Sequence, residues 1–195
     1  MLVRKATDSD IKEIVEIHCK ALPNDLLPRL GKGLLRNVFY KVALQSNQSK
    51  LLVASDITKV YGFGLVVKSS KTFSDELLGI KLVWNLGLAL LKNPLLLIDL
   101  LPHFKRTSVD LDISIDILHK PELYLIAVDP DIQKSGGGTL LINEMINYLK
   151  DNNYSQFIVK TSSVGAVKFY KKNLFREIGV ETRNKIQYLI LIRDF

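Results

Sequence analysis

The chain has 195 residues, of which 47% are hydrophobic and 24% are charged, a composition that excludes a disordered chain and predicts a globular domain with a sizeable core. Its net charge of +7 predicts a surface that attracts anions, but the lysines and arginines are scattered along the chain, so no nucleic-acid partner is expected. The single cysteine, Cys19, excludes an internal disulfide, and the N-terminal residues carry no signal-peptide pattern, so we expect a cytoplasmic protein.

Residues 1–67 predict a strand, two helices and a hairpin. A helix N-terminus with an acidic first turn is indicated by Thr7-Asp8-Ser9-Asp10, and apolar residues at helical spacing follow it. Two runs rich in β-branched and aromatic residues flank a polar turn and are predicted to pair as a hairpin. In chain order we predict a strand at 2–6, a helix that ends before Pro23, a helix at about 34–45, and strands at 51–54 and 60–67.

An apolar segment at about 71–108 interrupts this pattern. A membrane span needs ~20 mainly apolar residues without central charges, but Lys92-Asn93-Pro94 falls in the middle of residues 79–101. We therefore predict an insert with two short apolar helices. Its role stays open between an extra helical layer or homodimer contact, a lid over an acceptor pocket, and an interfacial membrane anchor, of which the anchor is not favoured.

The second half of the chain alternates strands with helices before a final hairpin. The predicted elements are a strand at 123–128, a helix at about 137–152, a strand at 156–161, a helix at 165–173, and strands at 178–182 and 186–192. The order predicts one α/β domain over residues 1–195, with a mixed sheet flanked by helices and the apolar insert between the third and fourth strands.

Three consecutive glycines, Gly136-Gly137-Gly138, stand between the fourth strand and the helix after it. At such a junction, free backbone N–H groups and the helix dipole favour an anion. A P-loop is excluded because no lysine follows Gly138, and a dinucleotide fingerprint is excluded because Leu141 stands at its third glycine position.

A third pattern fits. The residues Val128-Asp129-Pro130-x-x-Gln133-x-x-Gly136-x-Gly138 resemble the acetyl-CoA-binding motif of the GCN5-related N-acetyltransferase (GNAT) superfamily. The order of elements resembles that family over nearly the whole chain. The resemblance implies a mostly antiparallel sheet and acetyl-CoA as cosubstrate, with no metal. It also implies a backbone amide near Ile126 that faces the thioester oxygen. The cofactor-binding residues implied around this motif are Ile126, Ala127, Val128, Gln133, Lys134, Ser135, Gly136, Gly137, Gly138 and Thr139.

A second motif lies on the following helix. Tyr170 and Phe175 match the family signature Asn-x-x-x-x-x-x-Tyr-x-x-x-Gly-Phe, while Ser163 and Leu174 stand where the family has Asn and Gly. We expect the neighbouring Asn173 to supply the left-handed conformation of that glycine. The resemblance implies that Tyr170 donates a proton to the CoA thiolate, with a core aromatic as the alternative. It also implies cofactor contacts by Ser163, Ala166 and Phe169.

For the catalytic base we consider Glu122, eleven residues before Gln133. By resemblance to the histone-acetylating branch of the family, a glutamate at this distance accepts the proton of the amine. A solvated glutamate at a strand entrance, with water as the base, is the alternative. His18 falls on the apolar face of the first helix and is predicted to be a core residue, and no Cys/His/carboxylate pattern suggests a metal site.

The function predicted from these resemblances is that of an acetyl-CoA-dependent N-acetyltransferase. Its partner would be a small-molecule amine or an amino sugar, bound between the first two helices and the sheet. Two other classes stay open: a peripheral membrane or lipid-contacting acyltransferase that uses the insert, and a non-enzymatic CoA-binding module. The sequence does not distinguish acetyl from a longer acyl group.

Overall fold

The computed structural model of the protein describes residues 1–77, 120–183 and 185–195. The two apolar helices predicted at 79–101 lie outside these residues, and only 71–77 of the predicted insert are described. None of the helices in the described ranges is long and apolar enough to cross a membrane. The strands are β1 (Leu2–Lys5), β2 (Ser49–Ser55), β3 (Val60–Val67), β4 (Glu122–Val128), β5 (Gln156–Thr161), β6 (Arg176–Arg183) and β7 (Ile186–Asp194). The helices are α1 (Ile11–Ala21), α2 (Leu26–Arg29), α3 (Lys32–Leu34), α4 (Tyr40–Gln45), α5 (Ser70–Leu77), α6 (Gly137–Asp151) and α7 (Val164–Lys172), with a π-helical turn at Leu35–Phe39 between α3 and α4.

Within the described residues the strands form one sheet in the order β1-β2-β3-β4-β5-β7-β6. Every neighbouring pair is antiparallel except β4 and β5, which run parallel. The predicted hairpins are present as β2–β3 and β6–β7. The predicted class, a mixed and mostly antiparallel sheet flanked by helices, is confirmed.

Helices of the described ranges pack on both faces of the sheet. On one, which we call the α1 face, α1, the π-helical turn, α4 and α5 bury apolar side chains against β2, β3 and β4. On the other, the α6 face, α6 and α7 pack on β2 to β5 and on β7. The buried positions of α1 have the helical spacing predicted from the sequence: Ile11, Ile14, Val15 and His18. Those of α6 follow the same rule: Leu141, Ile142, Met145, Ile146 and Leu149.

β4 contains a bulge in its pairing with β3, and it pairs with β5 at one position. Leu65 of β3 pairs with Leu125, but the next β3 residue, Val66, pairs with Leu123, so Tyr124 is an extra residue. A bulge bends its strand and increases its twist. β5 pairs with β4 only at Glu122 and Ile158, beyond which the two strands part. The result is an opening in the middle of the sheet, bordered by the last six residues of β4.

The end of α7 differs from the prediction. Leu174, not Asn173, adopts the left-handed conformation, with φ of 64° for Leu174 and −94° for Asn173. Asn173 is instead buried and donates its side-chain N–H to the Phe169 carbonyl at 2.9 Å, which satisfies a carbonyl of the last helical turn. A leucine in the left-handed region carries backbone strain that the family's glycine would avoid.

Candidate active site

The glycine run forms the N-terminus of α6. Gly136 caps the helix with φ of 90°, a conformation that glycine adopts without a steric cost. The first helical hydrogen bond runs from the Leu140 N–H to the Gly136 carbonyl at 3.0 Å. The amides of Gly137, Gly138 and Thr139 therefore have no acceptor within the helix, and they carry the positive end of its dipole.

Gly138 has a further role, in packing. A Cβ atom at this position would lie 2.9 Å from Cζ of Phe169, closer than real Cβ contacts allow. Phe169 of α7 thus approaches the first turn of α6 because Gly138 has no side chain. Two of the predicted cofactor-binding residues are in direct contact through this packing.

An acidic anchor holds the loop before α6. The Asp129 carboxylate accepts hydrogen bonds from the Asp131 N–H at 3.2 Å and from Lys20 Nζ at 2.6 Å. The hydrogen bond from Lys20 is the main reason that the pKa of Asp129 lies below its usual value. The Gln133 side-chain amide donates to the Val128 carbonyl at 3.3 Å and spans the loop. Sequence reasoning missed Lys20 as the partner of this loop, although Asp129 before Pro130 is a typical capping pattern.

The edge of β4 beside the opening has free backbone groups. The Asp129 N–H donates to the Tyr61 carbonyl at 2.8 Å, so the backbone N–H of Asp129 points towards β3. Backbone groups of a strand alternate in direction, so the N–H groups of Ile126 and Val128 point away from β3, into the opening. Ala127 points its N–H towards β3, and its side chain is buried on the α1 face.

Tyr170 lies in the core of the α6 face. Its ring is 5.4 Å from the rings of Phe169 and Phe175, and Ile126 of β4 packs against the same cluster. Burial raises the pKa of the Tyr170 phenol well above its usual value, so the hydroxyl stays protonated at neutral pH. This hydroxyl forms no hydrogen bond with any residue that the structure describes.

Ser163 begins α7 at the same end of the domain. Its Oγ accepts a hydrogen bond from the Ala166 N–H at 3.3 Å, so the serine caps the helix where the family has asparagine. Ser163 is exposed, whereas Ala166 is half-buried against the cluster that contains Tyr170.

Glu122 is buried on the opposite face, at the point where β4 and β5 part. Its carboxylate accepts a hydrogen bond from the Ser70 hydroxyl and lies 3.7 Å from Lys160 Nζ. Lys160 Nζ lies 3.3 Å from the Glu181 carboxylate. Sequence reasoning treated Glu122 as a base or a solvated residue and missed both Lys160 and Glu181.

The predicted residues therefore form two groups. The first group lies on the α6 face or at the open edge of β4. Within it, Gln133, Lys134, Ser135 and Gly136 are exposed, and Ile126, Val128, Gly138, Thr139 and Phe169 are half-buried. Glu122 belongs to the other face. An opening through the sheet between β4 and β5 would join the two groups.

A cavity of about 520 Å³ lies beside α1, lined by Glu13, Glu16, Ile17, Cys19, Lys20, Lys32, Lys59, Val60 and Asp129. Asp129 and Glu122 are at opposite ends of β4, about 20 Å apart along an extended strand. The cavity therefore does not bring an acceptor to Glu122. In the described ranges no group of three or more His, Cys, Asp or Glu residues could hold a metal ion.

Comparison with known proteins links this geometry to a family. Residues 114–188 match the family model described as an acetyltransferase (GNAT) domain. None of the curated protein sequences matches the chain significantly. Several solved structures share its fold, among them histone acetyltransferase HPA2 and related acetyltransferase from Corynebacterium glutamicum, which is 18% identical with a TM-score of 0.64 over 99% of this chain and 95% of that one.

Two further solved structures have the same fold. The ribosomal-protein-S18-alanine N-acetyltransferase of Escherichia coli is 14% identical, with a TM-score of 0.59 over 98% of this chain and 92% of that one. The polyamine N-acetyltransferase of Drosophila melanogaster, which catalyses the formation of N-acetylagmatine, is 12% identical, with a TM-score of 0.56 over 100% of this chain and 99% of that one. At these identities the structures establish the fold, and the family match covers residues 114–188 of it.

Proposed function

We propose that the chain, whose residues 114–188 match the GNAT acetyltransferase model, transfers the acetyl group of acetyl-CoA to the amine of a small molecule or an amino sugar. The observation that carries this proposal is the opening between β4 and β5 beside the free amides at the start of α6. An opening of this kind lets a long, thin cosubstrate lie along β4 while the acceptor enters from the other face.

In this proposal the loop of residues 133–139 binds the pyrophosphate of CoA. The free amides of Gly137, Gly138 and Thr139 donate to phosphate oxygens, and the helix dipole adds to the attraction. Lys134 and Ser135 are exposed beside them, and Lys134 supplies a positive charge. A side chain at Gly136 would require a left-handed conformation that L-residues avoid, and it would stand at the mouth of this site.

The pantetheine arm then follows the open edge of β4. The backbone N–H groups of Ile126 and Val128 are directed towards it, with Ala127 between them. Ser163, Ala166 and Phe169 of the α7 region line the other side of the arm. The N–H of Ile126 is fixed by the sheet, and a fixed amide stabilises the developing oxyanion without reorganisation.

Acetyl transfer proceeds by direct attack. The amine nitrogen bonds to the thioester carbon as the carbon–sulfur bond breaks. Glu122 accepts the proton that the amine loses, and Tyr170 donates its phenolic proton to the departing thiolate. Two features support these roles: Tyr170 lies in the same buried cluster as Ile126 of β4, and Glu122 lies where the strands part, on the face opposite the cosubstrate loop.

The acceptor amine enters from the α1 face in this arrangement. The polyamine enzyme among the solved structures sharing this fold acts on a small amine, whereas the alanine N-acetyltransferase is named for a protein. We favour a small amine. We also take residues 1–195 as a single domain of a cytoplasmic enzyme, because the alignments cover 98% or more of the chain and its one cysteine suits a reducing compartment.

The test is CoA release measured with a thiol reagent, with polyamines, amino sugars, amino acids and peptide N-termini offered side by side. We expect release with at least one small amine, and a product whose mass has increased by one acetyl group. Glu122→Gln should lower kcat by roughly 100-fold with that amine, since general-base catalysis is worth about that much. Glu144→Gln, an exposed position on α6, is the matched control. Binding of acetyl-CoA without CoA release for any amine would overturn the proposal.

A further inference from the structure

A row of three charged side chains crosses the sheet on the α1 face, from β4 through β5 to β6. Lys160 Nζ lies between two carboxylates, 3.7 Å from Glu122 and 3.3 Å from Glu181. All three side chains are buried, with exposed fractions of 12% for Glu122, 10% for Lys160 and 5% for Glu181. The row therefore carries a net charge of −1 in a place that water barely reaches.

Such a cluster is costly to maintain. Removing a charged group from water costs several kcal/mol, and ion pairing compensates for this only where the geometry is good. Replacing a buried ion cluster with apolar residues is often neutral or stabilising. A stability role alone therefore does not account for a lysine held between two glutamates.

The location of the cluster suggests why it is there. Glu122, the first residue of β4, is the β4 residue that pairs with β5, and the two strands part after it. Its carboxylate therefore lies at the end of the opening where the strands still meet. Lys160 is two residues further along β5 than the paired Ile158, on the edge of β5 that borders the opening. Its ammonium thus reaches back across the gap between the strands to Glu122.

We propose that Lys160 is a positioning residue that holds the Glu122 carboxylate at the opening between β4 and β5. The Glu181 carboxylate contacts Lys160 on the side away from Glu122 and holds the ammonium in place. The Ser70 hydroxyl donates a hydrogen bond to the Glu122 carboxylate and gives it a second point of attachment. The inference rests on the proposed function, since it concerns how the base of that reaction is held. The Ser70 hydroxyl and Lys160 Nζ both contact the Glu122 carboxylate, and Glu181 lies behind the lysine.

The test compares variants of the full-length protein with the best acceptor amine. Lys160→Met should lower kcat at least 10-fold and change the KM for acetyl-CoA less than twofold, because the cosubstrate binds on the other face. Lys160→Arg should recover most of kcat, since it restores the cation. Lys171→Met, which removes a lysine from an exposed pair with Glu177, is the matched control.

Two double variants separate positioning from structure. Lys160→Met in the Glu122→Gln background should cause no further loss of kcat, because the lysine acts through Glu122. Lys160→Met/Glu181→Gln keeps the net charge of −1 in the cluster and so should recover thermal stability, yet its kcat should stay low. This second variant also keeps the test valid if Lys160→Met alone does not fold.

The outcomes distinguish the two proposals. Additive losses in the Glu122→Gln background, or recovery of kcat in Lys160→Met/Glu181→Gln, would overturn the positioning role while leaving acetyl transfer intact. Wild-type kcat in Lys160→Met would overturn it as well. Absence of CoA release by the wild-type protein with every amine would instead remove the proposed function, and this inference with it.

Discussion

Lys20 of α1 lies 2.6 Å from the carboxylate of Asp129, a residue 109 positions later that begins the loop before α6. The same ammonium also contacts Asp131 at 2.6 Å. One lysine thereby joins the first helix to both acidic residues of the loop. Because the loop leads directly to the free amides of α6, this contact couples the N-terminal helix to the proposed cosubstrate site.

The contact predicts an effect of Lys20→Met on cosubstrate affinity. The loop should become less ordered, so that acetyl-CoA must order it on binding, and Kd should rise by about 3- to 10-fold. Lys20 is half-exposed, so little loss of overall stability is expected. Calorimetric titration measures the change, with Lys12→Met on the exposed side of α1 as the control. Equal affinities of Lys20→Met and the wild type would show that the loop needs no such anchor.

Tyr170 provides a prediction that separates chemistry from binding. Tyr170→Phe keeps the ring among its aromatic neighbours but removes the hydroxyl, which has no partner among the described residues. We expect kcat to fall by about 10- to 100-fold, with acetyl-CoA affinity nearly unchanged. Steady-state kinetics and calorimetry give the two values, and Tyr148→Phe, in the same apolar cluster, is the control. If turnover is unchanged, Tyr170 serves only as a core aromatic.

We predict that replacing Leu174 with glycine stabilises the protein. Its side chain is 75% exposed and its φ is 64°, so the leucine gains little from burial and carries left-handed strain. Leu174→Gly should raise the free energy of unfolding by about 0.5 to 1 kcal/mol, the strain relieved less the entropy that glycine adds to the unfolded chain. Urea denaturation measures the change. Leu174→Ala is the control because it keeps the strain, and equal stabilisation by alanine would refute the explanation.

The buried His18 makes the free energy of unfolding depend on pH. It is fully buried, with Nδ1 2.6 Å from the Tyr40 hydroxyl, and burial lowers its pKa to about 4. The unfolded chain takes up this proton near its ordinary pKa of about 6.5, so stability is fully present above that value and is lost as the pH falls towards 4.

The loss attributable to His18 should be roughly 2 kcal/mol between pH 7.5 and pH 5. Urea denaturation at several pH values measures it in the wild type and in His18→Gln, which has no titrating ring. The variant should lack this part of the pH dependence, whatever its stability at pH 7.5. Parallel pH profiles of the two proteins would contradict the assignment.

Local patterns carried most of what the sequence predicted. The apolar spacing of α1 and α6 indicates which face is buried, and short apolar runs bounded by turns indicate the strands. The order of the seven described strands and of α1, α4, α6 and α7 was therefore predicted correctly, while the short helices α2, α3 and α5 were not predicted. The glycine motif was recognised because its residues are close together in the sequence, so their spacing can be read directly. The boundaries differ from the prediction by a few residues, as helix and strand ends commonly do.

Contacts across the sheet were not predictable in this way. Lys160 and Glu181 meet because the strand order is β5-β7-β6, and Glu122 joins them because β4 and β5 pair at one position. The bulge at Tyr124, beside the opening, leaves no periodic signal in a strand of seven residues. The prediction that Asn173 is left-handed was wrong: Leu174 takes that conformation, while the Asn173 side chain hydrogen-bonds the Phe169 carbonyl within the last helical turn.

The central claim is that acetyl-CoA binds at the start of α6, and calorimetric titration of acetyl-CoA into wild type and Gly136→Val tests it most directly. Gly31→Val is a matched control, because Gly31 also has a positive φ, of 99°, and open space around it. We predict one-to-one binding that is at least 10-fold weaker in Gly136→Val and unchanged in Gly31→Val. Equal affinity in Gly136→Val and the wild type, or no binding to the wild type, would contradict the claim.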